Sequence, residues 1–89
     1  MTIHENFIER LRRLDRSLRH LVTSRVFEFF LNPTGNGFHL EKLRGTRTPG
    51  LVSFRIDGSI RVIARHVASG FELIDFGPHD RIYRQAILM

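Results

Sequence analysis

A chain of 89 residues, 42% hydrophobic and without cysteine, is sized for one domain over residues 1–89, held by a core rather than by disulfides or a thiolate zinc site. Its formal net charge is +5, and of its 14 Lys and Arg side chains only Lys42 is lysine. No apolar run approaches the roughly 18 residues of a membrane span, and the opening MTIHENF does not read as a signal peptide, so a cytoplasmic chain with no membrane role is expected.

The arginine bias suits planar, two-pronged grips on phosphate and so a nucleic-acid partner. Arginine-rich codon usage and a soluble surface fit the charge as well.

Residues 5 to 31 contain no Gly or Pro and carry an apolar stripe at helical spacing: Phe7, Leu11, Leu14, Leu18, Leu21, Val22, Val26, Phe29 and Phe30. A single helix of that length would run about 40 Å at about 1.5 Å per residue. A compact domain of this size is only about 30 Å across. The stripe therefore predicts a helical hairpin, broken near Asp15–Ser17, where either residue can cap the second helix.

Asn32-Pro33-Thr34-Gly35-Asn36-Gly37 ends the second helix with turn residues. A long connection to Gly50 follows, with Phe38, Leu40 and Leu43 as its expected anchors. Connections of that length are commonly functional or disordered.

Three strands are predicted at about 51–57, 59–67 and 71–77. A two-residue turn at Asp57-Gly58 would mix apolar and charged side chains on both faces of the sheet. A three-residue loop, Asp57 to Ser59, instead aligns Val52, Phe54 and Ile56 with Ile60, Val62 and Ala64. It leaves Ser53, Arg55, Arg61 and Arg65 on the other face. A second three-residue loop, Ala68 to Gly70, pairs Ala64 with Ile74 and Val62 with Phe76, and sets Gly77 beside Arg61. The fold class is therefore α+β: an N-terminal helical hairpin on one face of a small, mainly antiparallel sheet. The helices cover the apolar face, and the arginine face is expected to be bare.

Arg55, Arg61 and Arg65 are candidate phosphate ligands, because fixed guanidinium groups hold a phosphate and stabilise added charge on it. A solvated sheet face with scattered cations is the plainer alternative. Lys42 and Arg44, in the long connection, are further candidate phosphate contacts. Glu41 beside them is a candidate base or a surface ion-pair partner. His79 and Tyr83 lie four apart in GPHDRIY and share a face if a helical turn begins there. Histidine suits proton transfer near neutral pH; a strand-end histidine and a packed tyrosine are the structural alternatives. His79-Asp80 also matches the metal pair of HD-type phosphohydrolases, but His39 and His66 are poorly placed to complete it, so no metal or cofactor is expected.

Taken in order, FIERLRRL, the helix ending in LNP, GFHLEKLRG, SFRIDGSIRVI and GPHDRIY resemble the RelE/ParE superfamily of bacterial toxins, over nearly the whole chain. The resemblance implies a first strand at about Thr2–Ile3, two helices, a curved antiparallel sheet and a short C-terminal helical turn, in the order β-α-α-β-β-β. It implies a toxin neutralised by a cognate antitoxin. RelE-like members are metal-free ribonucleases that cut messenger RNA on the ribosome, the nucleotide 2′-hydroxyl attacking the adjacent phosphate. On that likeness Arg55 and Arg61 match the phosphate-stabilising strand arginines, His79 a general acid, Tyr83 a stacking or proton-transferring tyrosine and Glu41 a loop base. A ParE-like toxin directed at DNA gyrase, or a non-catalytic binding module on the same scaffold, are the alternatives. The chain departs from many RelE-like nucleases in having a single lysine, and Asp75 and Asp80 bring negative charge toward the expected phosphate site.

Overall fold

The computed structural model describes residues 2–35 and 37–89, so the Asn36 position of the expected turn lies outside the described residues. Its elements are β1 (Thr2–Ile3), α1 (Glu5–Arg12), α2 (Arg16–Leu31), β2 (Glu41–Lys42), β3 (Leu51–Arg55), β4 (Ile60–Val67), β5 (Gly70–Pro78) and α3 (His79–Leu88). The five strands form one sheet in the order β1-β5-β4-β3-β2. β1 runs parallel to β5 and every other pairing is antiparallel. The α+β class, the helical hairpin and the brief first strand agree with expectation.

The hairpin breaks where its length requires. Asp15 caps α2 by accepting a hydrogen bond from the Leu18 N–H at 2.9 Å, satisfying a donor that has no partner within the helix. Phe7 from α1, with Val22, Val26 and Phe29 from α2, then meets Val52, Phe54, Val62, Ala64, Leu73 and Phe76 of the sheet. Phe29 is the hub. It stacks on Phe54 at 3.8 Å between ring centroids and meets Phe38 and Phe71 edge-on at 5.5 and 5.0 Å.

The first β-hairpin has the three-residue loop chosen by burial. Ile56 N–H donates to the Ile60 carbonyl at 2.9 Å, Phe54 pairs with Val62 and Arg55 with Arg61. Asp57 stabilises the loop by accepting from the Ser59 and Ile60 N–H groups at 2.9 and 2.8 Å. The second β-hairpin departs from expectation. Val67 pairs with Gly70, leaving two residues in the loop, and a β-bulge at Ile63/Ala64 restores the register to Val62 with Phe76. The bulge gives Ala64 the partner Leu73 instead of Ile74. Leu73 is thereby buried in the main core, and Ile74 turns to a second cluster.

Three further features differ from the sequence reading. The long connection contains β2, an edge strand paired with β3. Phe38 and Leu43 anchor it on opposite clusters, while Leu40 stays exposed. The C-terminal helical turn is a ten-residue helix, α3. It packs Ile82 and Ala86 onto Leu51 and Ile63, on the face that the hairpin leaves open. The arginine face is therefore partly roofed, because α3 has an apolar stripe of its own to bury.

Candidate active site

Cross-strand pairing builds the site. Arg55 stands directly opposite Arg61, and Arg61 directly opposite Gly77. Residues so paired point to the same side of the sheet, with Cβ atoms about 5 Å apart. Two like charges in that relation repel, so the arrangement works against folding. Both arginines are half-buried. Nε of Arg55 and Nη1 of Arg61 are inaccessible to solvent and have no hydrogen-bond partner. A buried donor left unsatisfied costs about 1–3 kcal/mol. None of the ion pairs among the described residues involves either side chain.

Arg65 stands apart from this pair. It lies four residues along β4 from Arg61, about 13 Å at about 3.3 Å per residue, with buried Ile63 between them. Its guanidinium is 3.2 Å from Glu72, although its Nε too is buried without a partner. The structure therefore brings Arg55 and Arg61 together and leaves Arg65 beyond the apolar cluster under α3.

α3 carries the chemistry-bearing side chains to the edge of the arginine pair. Pro78 ends β5 and precedes the first helical residue, His79, whose N–H donates to the Ser59 carbonyl at 3.3 Å. One helical turn on, Tyr83 faces His79, the two rings meeting edge-on with centroids 4.4 Å apart. The Tyr83 hydroxyl is 2.8 Å from Oγ of Ser53, so helix and sheet are tied by a hydrogen bond. His79 Nδ1 is 3.2 Å from Asp80, and the ring is more than half exposed. Asp80 is thus engaged with His79.

β2 contributes the third element. Glu41 pairs with Ser53 and so stands on the same face, one strand from Arg55 and two from Arg61. Glu41, Lys42, Leu43, Arg44 and Thr46 form one wall of a groove of about 600 Å³; Tyr83, Ala86 and Ile87 of α3 form the other. Tyr83 belongs both to this groove and to the shallower hollow with His79, Asp80 and Arg84. Tyr83 is the residue that the two hollows share.

The negative charge expected from Asp75 is diverted. Although Asp75 pairs with Ile63 in the sheet, its carboxylate takes a two-pronged grip from Arg10 of α1, at 2.6 and 3.2 Å, and is buried there. Arg81 is the residue that sequence reasoning missed. Gly77 has no side chain to set beside Arg61, and the Arg81 guanidinium fills that space. A methyl group on Gly77 would stand 1.7 Å from Nη2 of Arg81. The available signal was the spacing of Ile82 and Ala86 in HDRIYRQAIL, which continues the helix and turns Arg81 back over β5.

This architecture has close relatives in shape. RelE in the RelB–RelE antitoxin–toxin complex of Methanococcus jannaschii superposes with a TM-score of 0.70, covering 96% of this chain and 98% of that one at 12% identity. The archaeal RelE–RelB complex of Pyrococcus horikoshii OT3 gives 0.68 over 90% of this chain and 93% of that one, at 22% identity. The E. coli DinJ–YafQ complex gives 0.63 over 92% and 94%, at 14% identity. The fold is that of the RelE toxins. By sequence, no protein-family model and no curated protein matches the chain. At these identities the shared RelE fold is what the comparison carries.

Proposed function

We propose that this chain is the toxin of a toxin–antitoxin pair and an endoribonuclease that cuts messenger RNA on the ribosome. One observation carries the reading: two directly opposed arginines with buried, unpartnered N–H groups, on a RelE-fold sheet face, beside a histidine and a tyrosine. Such a pair is unfavourable in the empty protein and favourable once an anion lies across it.

In the proposed reaction, Arg55 and Arg61 hold the scissile phosphate. A base, assigned to Glu41, takes the proton of the 2′-hydroxyl, and the freed oxygen attacks phosphorus. The bond to the 5′-oxygen breaks, and His79 returns a proton to that oxygen. The products are a 2′,3′-cyclic phosphate and a 5′-hydroxyl end, so atoms and charge balance. Tyr83, held by Ser53 and lining both hollows, offers its ring to a base and its hydroxyl to the reacting phosphate. Lys42 and Arg44, on the groove wall, take flanking phosphates. Arg65 has no part in the reacting centre.

The proposed protein partner is a cognate antitoxin, as the archaeal and E. coli neighbours are seen with RelB or DinJ. An acidic segment laid over the arginine face would supply acceptors for the guanidinium N–H groups that remain accessible there. No helix among the described residues is long and apolar enough to cross a membrane, and the proposed place of action is the cytoplasm. Primer extension on a defined message in a purified translation reaction tests the function. Cuts within ribosome-occupied codons that depend on the protein are expected. An intact message together with DNA-damage signalling on induction in cells would replace this reading with one directed at gyrase.

A further inference from the structure

We infer that Arg81 completes a three-guanidinium site whose charge matches a doubly charged phosphate, so that α3 is part of the anion site and not only its roof. The inference rests on the phosphate-clamp reading of Arg55 and Arg61 and extends it to a residue outside the sheet.

The geometry begins with Gly77. It is the cross-strand partner of Arg61, so a side chain there would lie about 5 Å from that of Arg61, Cβ to Cβ. No such side chain exists, and the volume is taken by the guanidinium of Arg81. Arg55, Arg61 and the Arg81 guanidinium therefore share one register position across β3, β4 and β5, the Arg81 group occupying the place of the side chain that Gly77 lacks.

Arg81 is held in place from behind. Nη2 donates to the Phe76 carbonyl at 3.0 Å and Nη1 to Oε1 of Gln85 at 3.3 Å. A guanidinium has five N–H groups, so N–H capacity remains after these two bonds. Neither anchor carries a charge. As with Arg55 and Arg61, no ion pair among the described residues involves Arg81. Of the carboxylates near this face, Asp75 is bound to Arg10, Asp80 lies 3.2 Å from His79, and Glu41, one strand beyond Arg55, forms an ion pair with none of the three arginines.

A set of three cations, none of them ion-paired among the described residues, overmatches a phosphodiester, which carries one negative charge. It fits a group carrying two. The five-coordinate phosphorus formed by 2′-oxygen attack is such a group, and so is a terminal phosphate, with about −1.5 to −2 charge near pH 7. Arg55 and Arg61 suffice to hold the diester, and Arg81 adds what is realised when the second charge develops. Arg81 thus belongs to the rate more than to the affinity for uncut RNA. Gly77 is required because any Cβ there would drive the guanidinium away.

The test uses the full-length protein and two uncleavable probes. Both are the same DNA trinucleotide, one ending in a 3′-phosphate and the other in a 3′-hydroxyl. Wild type is expected to bind the 3′-phosphate form about tenfold more tightly, the scale of one charge-assisted contact. Arg81→Gln, which keeps an amide donor for the Phe76 carbonyl, should lose that preference, its affinity falling more for the 3′-phosphate form than for the 3′-hydroxyl form. Arg81→Lys should retain part of it. Gly77→Ala keeps all three arginines but displaces one, and should lose the preference as Arg81→Gln does, with circular dichroism confirming the fold. An Arg81→Gln protein that still prefers the 3′-phosphate form as wild type does would overturn the inference, as would a wild type with no preference. If the preference and its loss are seen but no RNA is cut, the nuclease reading fails and the three-guanidinium site stands.

Discussion

The two faces of the sheet obey different rules. Against α1 and α2, the packing is apolar and centred on Phe29, whose ring meets Phe54, Phe38, Phe71 and Phe30. The one buried carboxylate near that side, Asp75, is matched by Arg10. Against α3 only a small cluster of Leu51, Ile63, Ile82 and Ala86 is apolar. Beside it, arginine N–H groups are buried with nothing to bond. One face is complete in itself, and the other leaves arginine N–H groups unpartnered. The first face sets stability, and on the proposed reading the second gives up some of it for function.

Mutations should separate the two. Phe29→Ala removes the hub of the first face and should cost about 3–5 kcal/mol of unfolding free energy, measured by denaturant titration. Arg61→Ala is expected to leave unfolding free energy equal or higher, because it removes a repelled and partly unsatisfied cation. It should lower the rate of message cleavage about 10²–10³-fold; a large loss of stability would break the contrast between the faces. Tyr83→Phe deletes the bond to Ser53 that ties α3 to the sheet. A loss of about 1 kcal/mol is expected, with hydrogen exchange accelerating in α3 before the strands.

The smallest effect concerns Asp57 in the first hairpin loop. Burial pushes its carboxyl up. Hydrogen bonds from the Ser59 and Ile60 N–H groups and the Ser59 hydroxyl outweigh that and hold it below its ordinary value. A carboxyl depressed in the folded state contributes stability above its unfolded value of about 3.9, and this is lost as pH falls through the lower folded value. The stability difference between wild type and Asp57→Asn should therefore be flat from neutral pH down to about 4 and shrink below that. Denaturant midpoints across that range check it.

Much of the first face was legible in the sequence. The alternation of Val52, Phe54 and Ile56 against Ile60, Val62 and Ala64 fixes a register against the turn propensity of Asp57-Gly58. The helix break follows from comparing the length of residues 5–31 with the size of the domain. That register also placed Arg55 opposite Arg61. What the chain concealed depends on pairing at a distance. Two residues, Glu41 and Lys42, make no strand pattern of their own, and β2 exists only because β3 offers Ser53 and Val52 as partners. The bulge that gives Leu73 to the core satisfies packing and not local preference. Expecting only a short helical turn after the last strand hid the length of α3, and with it the roof over the arginines and the place of Arg81.

On the proposed reading the arginine face is an anion site left open in the free protein. Thermal unfolding of wild type and of Arg55→Ala/Arg61→Ala, each with and without an uncleavable 2′-O-methyl RNA fragment, tests it most directly. A ligand that binds only the folded state raises the midpoint by mass action. The account predicts that the free double variant melts no lower than free wild type, and that RNA raises the midpoint of wild type alone. A double variant that is less stable, yet stabilised by RNA as much as wild type, would contradict it.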